Sequence, residues 1–214
     1  MIKRTIMFIL ISSLIVMSTP LMAKAEGENA KEPSITATHC NLKSDFQKLW
    51  IEHAWWTRNF IISSLAGIED QNHVLNRLLQ NQVDIGNMIK PYYGDEAGNK
   101  LAALLKEHIL IAGKIVEAAK KGDKVSIEKL NKNWHRNADA IVSFLAAANP
   151  NWSKKELTDM FYTHLKFIID QVVARLNKDW VNEIRVVDQN ENHLIKLANI
   201  LTDGIVKQFP EKFK

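Results

Sequence analysis

Residues 49–65 read LWIEHAWWTRNFIISSL, and as a helix this stretch is apolar on nearly every side. Leu49, Trp50, His53, Trp56 and Phe60 line one face, while Ile51, Ala54, Trp55, Ile61, Ile62 and Leu65 line another. A helix with apolar residues all round is one against which its neighbours pack. The stretch therefore predicts an all-α fold built around itself, with Trp56 and Phe60 in the core. It also places a histidine, His53, within an apolar stripe.

Start and stop signals divide the rest of the chain into similar units. Ser44 and Gln47 form a capping box that opens the first helix, and Gly67 closes it. A second helix is expected from near Asp70 to Lys90, ended by Pro91 and Gly94. A third runs from near Asp95 to Gly122, and a fourth from the cap Asp123 to about Ala148, before Asn149-Pro150. Ser153 and Glu156 form the clearest box, with Trp152 and Leu157 as its hydrophobic staple, and open a fifth helix that reaches about Asn177. A sixth runs from near Asp179 to Gln208, with Gly204 as a weak point before Pro210. No window sustains strand alternation. Six helices of roughly 20 to 28 residues joined by short loops predict an antiparallel six-helix bundle over residues 43–214.

Ahead of the bundle, Lys3 and Arg4 precede an apolar run from Ile6 to Met17 and then Ala23-Lys24-Ala25. A basic start, a run too short to span a bilayer and small residues at a cleavage site describe a signal peptide over residues 1–25. The expected product is secreted or held in the cell envelope, begins at Glu26 and has no transmembrane segment after cleavage. Residues 26–42 are polar and aperiodic, and are expected to form a disordered tether. The leader holds three of the 28 basic residues and no acid, which leaves 25 basic against 24 acidic side chains. Nucleic-acid binding therefore loses its compositional support. Cys40 is the only cysteine, so no intrachain disulfide forms.

His53, His108 and His164 are spaced by 55 and 56 residues, each at the middle of a predicted odd-numbered helix. Asp84 and Asp139 precede the second and third histidines by 24 and 25 residues, and Gln82 and Asn137 each lie two positions before those aspartates. Matched offsets of this kind predict an internally repeated helical hairpin. In an up-down bundle the odd helices run the same way, which sets the three imidazoles at similar height. Each has apolar neighbours three and four positions away, and a buried imidazole needs partners for its two nitrogens. On the last helix Asp188 and Glu191 share one side and also lie among apolar residues.

Two readings follow. In one, His53, His108, His164, Asp188 and Glu191 bind a divalent metal (zinc, manganese or iron) or a small polar ligand, with a cell-envelope interaction module, partnered by an envelope protein, as the other non-enzymatic role of the bundle. In the other, they form a hydrogen-bonded layer that fixes helix register. A metal-dependent enzyme with an open coordination position is the alternative function. No H-E-x-x-H, no Glu-x-x-His pair, no haem attachment motif and no phosphate-binding glycine loop is present. Arg58, set among apolar side chains, is expected to pair with Asp84 or Asp139.

The segments LWIEHAWWTRNFIIS, NQVDIGNMIKPYYGDEAG, LLKEHILIAGKIVEAAKKGD, NADAIVSFLAAANPNWS and DGIVKQFP together resemble a family of small bacterial helical proteins. Its members often carry borrowed names such as acetylglutamate kinase or glycosyltransferase. The resemblance implies a helical, sometimes exported protein and transfers no catalytic residue. Neither name suits these residues. Acetylglutamate kinases resemble other amino-acid kinases in needing an α/β sheet with glycine-rich loops, and soluble glycosyltransferases commonly carry a D-x-D motif, which is missing here.

Overall fold

A computed structural model describes residues 36–214. The predicted signal peptide, and residues 26–35 of the predicted tether, lie outside the described residues. The described chain forms five helices packed antiparallel, with no strand among them: α1 (Ala37–Ala66), α2 (Gln71–Lys121), α3 (Lys124–Ala148), α4 (Lys154–Leu176) and α5 (Trp180–Gln208), followed by a 3-10 turn at Pro210–Phe213.

The first helix starts earlier than its sequence signals imply. Thr36 is the cap, its side-chain oxygen accepting from the His39 amide at 3.3 Å, and Ser44 sits inside the helix. Residues 37–42 are therefore helical rather than part of a tether. Leu42, Phe46 and Trp50 are four residues apart and all buried, so one continuous face draws the helix back to Ala37.

The six predicted helices become five because the second and third are one element of 51 residues, broken at Gly94. Straight, such a helix would be roughly 75 Å long. Instead the Gln71 amide donates to Glu117 at 3.3 Å, so the limb before Gly94 folds back on the limb after it. Gly94 has φ 84° and ψ 170°, a conformation open almost only to glycine. The limbs touch backbone to backbone at Gly86 and Gly98: a Cβ on Gly98 would lie 2.6 Å from the Gly86 carbonyl oxygen. Pro91 falls inside the helix, within a turn of the break.

The remaining caps follow their sequence signals. Asp123 accepts from the Ser126 amide at 3.0 Å, and Ser153 from the Glu156 amide at 3.3 Å. Trp152 and Leu157 are both buried, as a hydrophobic staple requires. The Trp152 indole also donates to the Leu201 carbonyl at 3.2 Å and lies across Gly204, where an added Cβ would meet Nε1 at 2.0 Å. Gly204 is thus a seat for Trp152 inside α5 rather than a weak point.

The last helix packs on the first. Gln47 donates to Asn199 at 2.8 Å, and Arg58 pairs with Glu183 at 3.2 Å, so α1 and α5 lie side by side and antiparallel. Arg58 was expected on Asp84 or Asp139. Those acids are held instead by Arg77 and by the Tyr162 hydroxyl. The first helix is not enclosed on all sides: Phe60 is buried and Trp56 is half-buried, but Trp55 on the second apolar face is 56% exposed. The large core contains Phe46, Trp50, Leu105, Leu145, Phe161 and Leu194, and a smaller cluster joins Phe60, Leu78 and Ile109.

Candidate functional site: three buried imidazoles

His53 on α1, His108 on the second limb of α2 and His164 on α4 meet at one level of the bundle. Their relative exposures are 2%, 3% and 5%. The rings of His53 and His164 lie 5.5 Å apart between centroids, and those of His108 and His164 lie 6.5 Å apart and stacked. Trp50 meets the His53 ring edge-on at 5.5 Å, Trp134 lies 5.1 Å from His108, and Phe161 meets His108 edge-on at 6.4 Å.

Each Nδ1 is tied to an amide from the following helical segment. Gln82 reaches His53 at 3.2 Å, Asn137 reaches His108 at 2.7 Å and Asn190 reaches His164 at 2.8 Å. A second contact recurs beside each pair, on the carbonyl four residues before the histidine. Asn81 donates to Leu49 at 3.0 Å, Asn137 to Leu104 at 3.1 Å, and His193 Nε2 contacts the Met160 carbonyl at 2.8 Å. The carbonyl contacts fix the height of each pair of segments, and the amides fix the rings.

The partners also fix proton positions. Asn137 Nδ2 lies 3.1 Å from both the Leu104 carbonyl and the Glu107 carboxylate, which only a donor can satisfy. Its Oδ1 therefore faces His108, and His108 Nδ1 carries the hydrogen and donates. His108 Nε2 is left with a lone pair, buried and with no hydrogen-bond partner. Asn190 Oδ1 holds His164 in the same tautomer. His53 is held loosely and in the opposite sense, since the atom beside its Nδ1 is the Gln82 side-chain nitrogen, a donor, which leaves the ring hydrogen on Nε2. The Gln82 amide nitrogen has two hydrogens but three acceptors in reach, and the Leu78 carbonyl at 2.8 Å and Asn81 at 3.0 Å are closer than His53.

Burial shifts all three imidazoles toward the neutral form. Desolvation, followed by repulsion from His164, holds His108 down at about 3, against a weaker upward pull from Asn137. Desolvation lowers His164 to about 4. His53 is driven well below its ordinary value by desolvation, with His164 and His108 adding to the effect. Three neutral bases thus share one apolar layer.

The carboxylates predicted for this layer are elsewhere. Asp188 is exposed and Glu191 is half-buried at the surface, and neither approaches the imidazoles as a partner. The buried face of α5 instead runs through Glu183, Val186, Asn190, Leu194, Leu197 and Leu201. Asp188 lies two positions from Asn190, about 200° around the helix. Asn190 is the residue that sequence reasoning missed. Its signal was present, since it follows His164 by 26 residues much as Gln82 follows His53 by 29. The buried acid on α5 is Glu183, which takes hydrogen bonds from Arg58 at 3.2 and 3.3 Å and from Gln171 at 3.4 Å.

A cavity of about 10 Å³ in the core is lined by buried, largely apolar side chains, among them Trp50, Leu105, Trp152 and Phe161, and by none of the three histidines. Among the described residues, no three or more His, Cys, Asp or Glu side chains are grouped so as to hold a metal ion. No described helix is long and apolar enough to cross a membrane. No family model, no curated protein and no solved structure matches the chain.

Proposed function

We propose that this protein binds one transition-metal ion in the layer of His53, His108 and His164, with Nε2 of His108 and His164 as the ligands. The observation that carries the reading is the buried, unpartnered Nε2 lone pair of His108, in a layer that holds two more neutral imidazoles. Leaving a buried polar atom unpaired costs about 1–3 kcal/mol, and a metal ion removes that cost. Amide oxygens on Nδ1 of His108 and His164 supply what a ligating histidine needs from its surroundings: a fixed tautomer and a fixed ring. Nitrogen ligands at roughly 2.0 to 2.1 Å from a tetrahedral ion put ring centroids roughly 5 Å apart. The His108 and His164 rings, at 6.5 Å, are about 1.5 Å wider apart than that and would have to close on an ion.

Asp188 and Glu191 drop out of the ligand set. An all-imidazole set suits zinc, copper or iron better than manganese, which prefers oxygen donors. Membership of the bacterial helical family that the sequence resembles, and export by a signal peptide, belong to the same reading. So does origin from a repeated helical hairpin, supported by the recurring imidazole–amide and carbonyl contacts. The near-complete burial of all three imidazoles favours a sealed binding site over an enzyme with an open coordination position.

The test is metal analysis of protein purified without chelators or nickel resin, repeated on His108→Ala, His164→Ala and the double variant. One ion per chain is expected, lost in each single variant, with little further loss in the double because the site is shared. Metal-free wild-type protein that also refuses added zinc, copper and iron would leave the layer as a register device.

A further inference from the structure

We propose that a second site, the groove that crosses Gly113 on the outer face of α2, takes a free carboxylic acid carried on a single apolar chain. The groove stands apart from the imidazole layer and shares no residue with it. Its volume of about 470 Å³ falls within the range of small-molecule sites, roughly 300–1,000 Å³. The second limb of α2 supplies the floor. Leu75 of the first limb forms one wall, and Leu130 of α3 forms the other. Phe60, Ile109 and Leu110 make the floor apolar, and Leu110 is exposed in it.

Gly113 lies inside a helix and is not one of the glycines with positive φ. An added Cβ would touch only the Phe60 ring, at 3.4 and 3.5 Å, an ordinary contact. Neither backbone nor packing calls for glycine there, unlike at Gly86, Gly98 and Gly204, and alanine would favour the helix. The missing side chain keeps the groove open over Phe60. Lys114 and Lys121 stand at the rim, both exposed, and neither forms an ion pair among the described residues. The acids beside them are engaged. Glu117 accepts from Gln71 at 3.3 Å, and Asp123 accepts from the Ser126 amide at 3.0 Å and its hydroxyl at 2.6 Å. Those bonds to Ser126 hold the Asp123 carboxyl below its usual range, and Lys121 adds only the least of the influences on it. Two ammonium groups over an apolar floor match a carboxylate on a hydrocarbon chain. A two-chain lipid is too large for the groove.

Calorimetric titration of the purified protein with decanoate, decanol and decyltrimethylammonium reads the preference. One decanoate per chain is expected, held at least about tenfold tighter than either of the others. Octanoate should bind on the order of tenfold more weakly than decanoate, because each buried methylene adds roughly fourfold. Lys114→Gln combined with Lys121→Gln should bring decanoate to the level of decanol. Gly113→Leu, checked for helicity, should weaken decanoate at least about tenfold by filling the groove. Gly113→Ala should unfold at a higher temperature than the parent, and a lower midpoint would show that the fold itself needs this glycine. Amide shifts on adding decanoate should centre on Leu110 and Gly113, a measurement that needs no variant. No decanoate bound at about 1 mM, equal affinity for the three probes, shifts confined to another face, or decanoate kept in full by folded Gly113→Leu overturns the site. None of these outcomes bears on the metal reading, which concerns other residues.

Discussion

An imidazole held at Nδ1 by an amide oxygen and flanked by apolar rings resists protonation, and that resistance links folding to pH. In the unfolded chain His108 and His164 take up protons near 6.5, whereas in the fold they do so only at about 3 and about 4. The unfolded state therefore binds more protons throughout that interval. Stability is complete above about pH 6.5 and falls as the pH drops below it, by up to about 1.4 kcal/mol per pH unit for each histidine. His53 is lowered in the same direction and adds to the loss. Urea midpoints measured from pH 7.5 down to pH 4.5 should fall steadily, and the fall should be shallower in a folded His164→Leu variant. A flat profile would mean that the imidazoles are wetter than their burial implies. At this scale the sequence was informative about histidines and misleading about acids. His53, His108 and His164 announced themselves by spacing. Asp188 and Glu191 did not betray that the buried stripe of α5 passes between them at Asn190, because Ile184 and Ile195, which made them look internal, are respectively exposed and half-buried.

At the scale of helices, the close approaches decide more than the caps. Gly204 admits the Trp152 indole against α5, and its Cβ position is taken by that ring, with Nε1 at 2.0 Å and Cδ1 at 2.3 Å. Gly204→Ala should push the indole out and break its bond to the Leu201 carbonyl. The expected cost is about 1–3 kcal/mol despite the better helix propensity of alanine. Thermal unfolding of the variant checks this, and an unchanged or raised midpoint would show that Trp152 moves freely. Caps such as Asp123 and Ser153 were legible because they act within four residues. The use of Gly204 was not, since it depends on a side chain 52 positions away. Pro91 and Gly94 were read as a gap between two helices. The reversal of direction was right, but α2 turns at Gly94 with no intervening loop. The early start at Ala37 was hidden because residues 37–42 carry one core residue, Leu42, too few for a period.

At the scale of the whole described bundle, the helical class and antiparallel packing were legible from periodicity alone. The side-by-side placement of α1 and α5 was not, since the matching residues Gln47 and Asn199 carry no local sign of each other. That placement has a consequence for connectivity. Near the start of α1, His39 lies 3.9 Å from Asp203 and packs edge-on against Phe213 at 6.3 Å, so the two ends of the described chain share one edge of the molecule. Chain order is then partly arbitrary: a short glycine-serine bridge can join the end of the chain to Thr36 without crossing the bundle. New ends fit at Gly122–Asp123, an exposed turn between α2 and α3. A circular permutant starting at Asp123 should keep the helical signal of the parent and unfold in one cooperative step. Its three imidazoles, now drawn from a rearranged chain, should still meet.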